Sequence, residues 1–276
     1  MSEDRVDENL SSRLWQRLTD HAHELVEKAP TIATAIKSQI LDRSSFGDAL
    51  VHVLASSMRE AVPADVDLIP LFIKYLRLSP EIAEDAAADL QKLDSINPAC
   101  LDVLAGFMSF RGFLGLQLYR FTHAMWTSGE KQIAVLLQNW GAMKYAMDIH
   151  PAATIGRSVF IDHGIGLVIG STSVVEDGVN IWHGVTLGAT LTQAGDRHPK
   201  IRRNATLCAG ATILGNIEVG AGSIVAASSV VLKSVPADSI VAGIPAKIIG
   251  KAPESLGAID QSQKSTSTKA QEKVNA

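Results

Sequence analysis

The chain has 276 residues, 46% of them hydrophobic, and a formal net charge of −4 from 25 Lys+Arg and 29 Asp+Glu. That length holds one large domain or two modest ones with a real core, and without a basic block beyond Arg202 and Arg203 the chain lacks the clustered cations of a nucleic-acid binder. Cys100 and Cys208 are the only cysteines, far apart and without a partner motif, which fits a reducing, cytoplasmic setting with neither disulfides nor a thiolate zinc site.

The opening segment, MSEDRVDENL, is acidic and polar, and no uninterrupted apolar run of about 18 residues follows, so neither secretion nor a membrane span is expected. Residues 1–147 read as a helical domain. Leu14, Leu18, His21 and Leu25 recur at helical spacing, Ser79-Pro80-Glu81 reads as an N-cap with proline at the first helical position, and Gly106 to Trp126 is apolar on several faces, as in a helix buried between neighbours.

Near Asp148 the period changes. Ile201, Leu207, Ile213, Val219, Val225 and Val231 are spaced six residues apart, and the same beat runs through Ile149, Ile155 and Ile161, then, after an eight-residue step, Ile169, Val175, Ile181 and Leu187. A period of six predicts a hexapeptide-repeat parallel β-helix over 148–251: each hexad lays down a short strand and a bend, three hexads close one triangular coil, and the aliphatics stack inward. Two places before these aliphatics stand mostly small or β-branched residues (Ala153, Val159, Ala211, Ile217, Ser223, Ser229), suited to a second inward position, and Gly156, Gly170, Gly220 and Gly222 fall where bends need positive φ. Known coils of this class wind left-handed, against the usual crossover preference. GATLTQAGDRHPK (188–200) interrupts the beat and must leave the cylinder as a loop, and 252–276, nearly free of large apolar residues, is expected to be a flexible tail.

Three polar clusters mark an otherwise aliphatic cylinder: Asp148-Ile-His-Pro, Ile161-Asp-His-Gly and Gly195-Asp-Arg-His-Pro-Lys. Asp148 and His163 are fifteen residues apart, near one coil, so adjacent rungs can bring them to one edge. A carboxylate bonded to one imidazole nitrogen frees the other as a general base for a substrate hydroxyl. Spacing alone fits equally well a structural histidine bonded to a backbone carbonyl.

DIHPAA (148–153), IDHGIG (161–166), VTLGAT (185–190), GDRHPKI (195–201), ILGNIEVG (213–220) and AGIPAKIIG (242–250) resemble the serine O-acetyltransferases of cysteine biosynthesis. The likeness extends through RGFLGLQLYR (111–120) and VLLQN (135–139) and so covers most of residues 10–250. It implies an α+β protein, an N-terminal helical domain followed by a left-handed parallel β-helix, that transfers acetyl from acetyl-coenzyme A to the hydroxyl of L-serine without a protein-bound intermediate. On the matching positions His163 is the general base, Asp148 orients it, Asp162 receives the ammonium group, and Arg197 and His198 hold the carboxylate, the first by a geometry chemistry favours on its own account. Coenzyme A is implied to lie between neighbouring coils against Ala189, Ala209, Ala226 and Ala227, small residues that fit coil packing equally well, with Lys233 and Lys247 meeting its phosphates. No metal is expected, and Cys208 reads as structural. Homotrimers, or pairs of trimers joined through the helical domains, are implied, with active sites between coils; Trp140 and Tyr145 read as core residues or as part of such contacts.

Three departures bear on the acceptor. Asn97-Pro98 stands where the family has Asp-Pro in a segment contributing to the amino-acid pocket, Gly170-Ser171-Thr172 replaces Gly-Glu-Thr, and Gly188-Ala189 replaces paired glycines. Losing the charge at Asn97 weakens an ammonium contact, so homoserine or a serine derivative stays open as the acceptor, and cysteine inhibition with it. The ending Lys-Val-Asn-Ala lacks the terminal isoleucine through which family members dock into cysteine synthase, so docking is expected to be weak or absent. Two rival classes are a zinc hydrolyase similar to γ-type carbonic anhydrases, using His163, His183 and His198, and an inactive scaffold subunit.

Overall fold

The computed structural model of the chain describes residues 9–190 and 194–253; from residue 254 on, the expected tail lies outside them. Eight α-helices come first: α1 (Leu10–Lys28), α2 (Ala33–Ile36), α3 (Phe46–Met58), α4 (Ile69–Leu78), α5 (Glu81–Ile96), α6 (Val103–Ser109), α7 (Arg111–Thr127) and α8 (Lys131–Tyr145). Leu14, Leu18 and Ala22 bury one stripe of α1, and Asn9 caps it by accepting Ser12 N–H at 3.0 Å. Buried nearly all round, α7 packs against α3, α4, α5, α6 and α8.

Two helical expectations change. Helix α5 begins at Glu81 with Pro80 as its cap and no side-chain capping bond; Ser79 instead ends α4, its N–H donating to Tyr75 O at 2.9 Å. The apolar stretch 106–126 is not one helix: Phe110, at ψ 110°, breaks it between α6 and α7.

From Met147 the chain coils. The strands are β1 (Met147–Ile149), β2 (Thr154–Ile155), β3 (Phe160–Ile161), β4 (Leu167–Ile169), β5 (Val174–Val175), β6 (Asn180–Ile181), β7 (Thr186–Gly188), β8 (Lys200–Ile201), β9 (Thr206–Leu207), β10 (Thr212–Leu214), β11 (Glu218–Val219), β12 (Ile224–Val225) and β13 (Val230–Val231), of which β1 to β10 each pair in parallel with the strand three places on; β14 (Ser239–Gly243) pairs in parallel with β12, and β15 (Ala246–Lys251) returns antiparallel along β14. The order β1-β4-β7-β10-β13 makes one face, β2-β5-β8-β11 a second, and β3-β6-β9-β12-β14-β15 the third. Register stacks the aliphatics in three columns, Ile149-Ile169-Leu187-Ile213-Val231, Ile155-Val175-Ile201-Val219 and Ile161-Ile181-Leu207-Val225-Val241, and every member is buried. The second inward position holds Ala153, Val159, Ala211, Ser223 and Ser229, all buried, whereas Ile217 is half-buried.

The bends differ from expectation. Of the four glycines named for positive φ, only Gly222 has it (+67°), and Ser158, Asn204, Ser228 and Asp238 hold other left-handed corners. Gly156, Gly170 and Gly220 are small because neighbours approach closely: a Cβ there would stand 2.3 Å from Asp177 Oδ1, 2.0 Å from the His198 ring and 2.4 Å from Ala237 N.

The helices hold the first coil through α7. Tyr119 Oη donates to Ala153 O at 2.6 Å and accepts from Ile155 N at 3.1 Å, and His123 Nδ1 donates to Pro151 O at 2.7 Å. Beneath them Asp89, from α5, accepts from Arg120 Nε and Nη2 (2.9 and 2.7 Å), from Gln117 (3.1 Å) and, with its other oxygen, from Val159 N–H of the coil (2.9 Å); Arg120 Nη2 also donates to Gly156 O at 2.8 Å. Burial opposes the Arg120 charge, but the Asp89 and Asp85 carboxylates hold it above its ordinary value. Asp89→Ala leaves that guanidinium uncompensated in the interior, and urea unfolding at fixed protein concentration should show a loss of about 3–5 kcal/mol; a change below about 1 kcal/mol means the pair does not join the two parts.

Candidate active site

Two edges of the prism carry the polar clusters. The first joins the third face to the first. Between β3 and β4 the chain turns through Asp162, His163, Gly164 and Gly166, the last three at φ +54°, +74° and +75°. Gly164 is needed twice, for its left-handed backbone and because a Cβ would meet Met147 Sδ at 2.0 Å. Gly166 N–H donates to Ala146 O at 2.8 Å, tying this turn to the strand that carries Asp148. A left-handed histidine costs of order 1–3 kcal/mol and persists only where its surroundings impose it, so it marks a functional candidate.

His163 is 70% exposed, and its Nε2 lies 3.5 Å from Asp162 Oδ2. Asp148, exposed on the first face, accepts instead from Gln138 Nε2 of α8 at 2.6 Å, and among the described residues no direct ion pair joins it to His163. The next corners continue down the same edge. Gly184 N–H donates to Ile165 O, Gly210 N–H to His183 O and Ser228 N–H to Ala209 O, so His183, Ala209 and Ala227 stack beneath the His163 turn. The His183 ring is 6.1 Å from that of His163 in an edge-on arrangement. Ala226 adjoins this line, as does Cys208, a half-buried thiol that burial pushes up, away from a reactive thiolate.

The second edge joins the first face to the second and carries the loop between β7 and β8. Thr172 anchors the returning half of that loop. Its Oγ1 accepts from Arg197 N–H (3.0 Å) and His198 N–H (3.1 Å), and Lys200 Nζ donates to Thr172 O (2.7 Å), His198 O (2.9 Å) and Asp196 Oδ1 (2.6 Å). His198 is buried against Gly170, and its Nδ1 lies 3.2 Å from Thr172 N and 2.8 Å from Thr172 Oγ1. Burial lowers its pKa, and Arg197, Lys200 and His150 lower it further against Asp196. His150 sits at the same edge, its Nδ1 accepting from Ala152 N–H at 3.0 Å; burial lowers its pKa too, Asp148 opposes, and Arg197 adds to the fall. Two imidazoles kept neutral beside two cations make an edge suited to a carboxylate.

Of the expected residues, Asp162 and His163 stand together with Ala209, Ala226 and Ala227 on the first edge, and Arg197 and His198 stand on the second. Half-exposed Ala189 follows β7 toward the second edge, Lys233 is exposed just after β13, and Lys247 is exposed on β15 opposite Ala242. Asn97 ends α5, buried, its Oδ1 accepting from Ala99 N–H at 2.9 Å. Gly166 to Gly170 spans the face between the edges, four residues of strand or about 13 Å, so within one chain the two clusters do not meet. Sequence reasoning gave no role to His150, Thr172 or Gln138, although His150 lies inside the DIHP motif, Thr172 in the Gly170-Ser171-Thr172 segment and Gln138 in VLLQN. Trp140 is half-buried, and Tyr145 is buried with its hydroxyl 2.5 Å from Ser57 Oγ.

This architecture has counterparts. Residues 14–118 match the family described as serine acetyltransferase, N-terminal. A putative serine acetyltransferase of Schizosaccharomyces pombe is 44% identical over 251 residues, 91% of this chain and 93% of that protein. A serine acetyltransferase solved in complex with cysteine aligns at TM-score 0.86 and 39% identity over 90% of this chain and 97% of its own, and the Brucella abortus serine acetyltransferase solved with coenzyme A aligns at TM-score 0.84 and 38% identity over 92% and 99%. With sequence and fold alike over nine-tenths of its length, the chain belongs to the serine acetyltransferase family of acyltransferases.

Proposed function

We propose that the chain transfers the acetyl group of acetyl-coenzyme A to the side-chain hydroxyl of L-serine, giving O-acetylserine for cysteine biosynthesis, with His163 as the general base. The observation that carries this reading is the exposed, left-handed His163 held 3.5 Å from a carboxylate at the head of an edge lined with small residues. Relatives solved with cysteine, which differs from serine by sulfur for oxygen, and with coenzyme A support the two ligands.

The chemistry follows from the groups present. The hydroxyl oxygen attacks the thioester carbon as its proton passes to His163; the tetrahedral oxyanion is met by backbone N–H groups; the C–S bond breaks, and the departing thiolate takes the proton back from the imidazolium. Asp148 orients the imidazole once its carboxylate turns from Gln138, and Asp162 then faces the ammonium group. Arg197 and His198 take the carboxylate, and Asn97 borders the amino-acid pocket. Coenzyme A runs along the His163 edge past Ala209 and Ala226–Ala227, with Ala189, Lys233 and Lys247 supplied where the other edge and the closing hairpin come near.

Because the base and the carboxylate-binding pair sit on different edges, a site for one small amino acid requires the His163 edge of one coil to face the Arg197 edge of another. A trimer of prisms satisfies that with every edge used alike, and pairs of trimers joined through the helical domains extend it. Cytoplasmic placement fits a reducing compartment for a chain whose two cysteines form no disulfide with each other.

Incubation with acetyl-coenzyme A and a panel of hydroxy amino acids should release free thiol with L-serine in preference to homoserine. His163→Ala should lower turnover by about 10²–10⁴-fold with the assembly intact by sedimentation, and retained turnover removes His163 from the base role. In a separate test, Asn97→Asp keeps the oxygen that Ala99 N–H uses and adds a charge; it should lower the KM for L-serine about tenfold, and an unchanged KM means the ammonium group is held elsewhere.

A further inference from the structure

We propose that Thr172 is a positioning residue for the acceptor: its hydroxyl locks His198 as the neutral tautomer with hydrogen on Nε2, so that the carboxylate meets one cation, Arg197, and one neutral N–H donor. The serine-binding role of His198 rests on the function proposed above; the tautomer does not.

The assignment follows from counting donors and acceptors. Thr172 Oγ1 accepts from the backbone N–H groups of Arg197 and His198 at 3.0 and 3.1 Å, which occupies both of its lone pairs. Its own hydrogen points at His198 Nδ1, 2.8 Å away, with the Asp196 carboxylate as a second acceptor nearby. Thr172 N–H donates to the same nitrogen at 3.2 Å. With two donors directed at it, Nδ1 holds a lone pair and the ring hydrogen sits on Nε2. Protonating Nδ1 would set N–H against N–H and strip the hydroxyl of its acceptor, a cost added to burial and to the nearby charges of Arg197 and Lys200.

The ring's hydrogen bonds to described residues run through Nδ1, and its Nε2–Cδ2 side lies against Gly170, where a Cβ would stand 2.0 Å from both atoms. Sequence and backbone thus hold one N–H in place for a ligand. A hydroxyl is required and a methyl is not, since both loop N–H groups and Nδ1 converge on oxygen.

Solid-state ¹⁵N spectra of histidine-labelled enzyme, with His198→Asn to assign the resonance, should show His198 Nδ1 unprotonated at neutral pH. Thr172→Val should blur that signal into a tautomer mixture and raise the KM for L-serine at least about tenfold, with kcat within a few-fold; Thr172→Ser should restore both. A protonated Nδ1 in the unmodified enzyme overturns the proposal even if Thr172→Val fails to fold, and so does a Thr172→Val enzyme with unchanged KM, or a Thr172→Ser enzyme as impaired as the valine variant. If the spectra show the lock but L-serine is not acetylated, it is the proposed function that falls.

Discussion

Stacked branched aliphatics, one every six residues, impose the constraint on which the rest of the molecule depends. Each column buries its members completely only if every coil repeats the last, so strand register and face orientation are common to the whole prism. A structure so constrained has few places for anything irregular. Up to Val231 the two departures from the period are the eight-residue step from Ile161 to Ile169 and the fourteen-residue step from Leu187 to Ile201. One carries His163, and the other carries Arg197 and His198. Residues inserted at a corner leave the columns undisturbed, and the rigid coils on either side then hold the insertion in a fixed geometry.

This explains which features were legible in the sequence. A period of six reports inward stacking directly, so the columns, the three faces and the position of the loop were readable from Ile149 onward. Corner conformations were not, because a left-handed residue is imposed by the closure of the coil as much as by its own side chain: Ser158, Asn204, Ser228 and Asp238 adopt it, while Gly156, Gly170 and Gly220 are glycine for want of space. The break at Phe110 was hidden for a related reason. Apolar residues continue on both sides of it, and periodicity cannot register a change of direction within a stretch buried all round.

The candidate site was legible as a set of residues and not as a set of contacts. Asp162 and His163 are neighbours in sequence, which in an extended strand sends their side chains to opposite faces. The positive φ at His163 folds them onto one side, and no pattern of residue types announces that. Thr172 and His198 are twenty-six residues apart and meet only because Gly170 and the loop's return stand one rung from each other. Each contact is a product of the coil's pitch, invisible until the rungs are stacked.

The same pitch bears on how two ligands of unlike size are accommodated. Neighbouring rungs lie about 4.8 Å apart, so from His163 through His183 and Ala209 to Ala227 the first edge runs about 14 Å in three steps. Under the proposed function, a long donor laid along that line would bring only its thioester end to His163, and the small corner residues Ala209 and Ala227 would let its arm approach the backbone. The acceptor has no such length, and its recognition must concentrate at one point. That point needs cations and neutral donors packed tightly, which the second edge supplies by holding His150 and His198 uncharged beside Arg197 and Lys200. Had either imidazole been protonated, its charge would add to those of Arg197 and Lys200, of which Asp196 offsets one. Neutral rings lower the repulsion between cations, and under the proposed function Arg197 would supply the charge that meets the carboxylate.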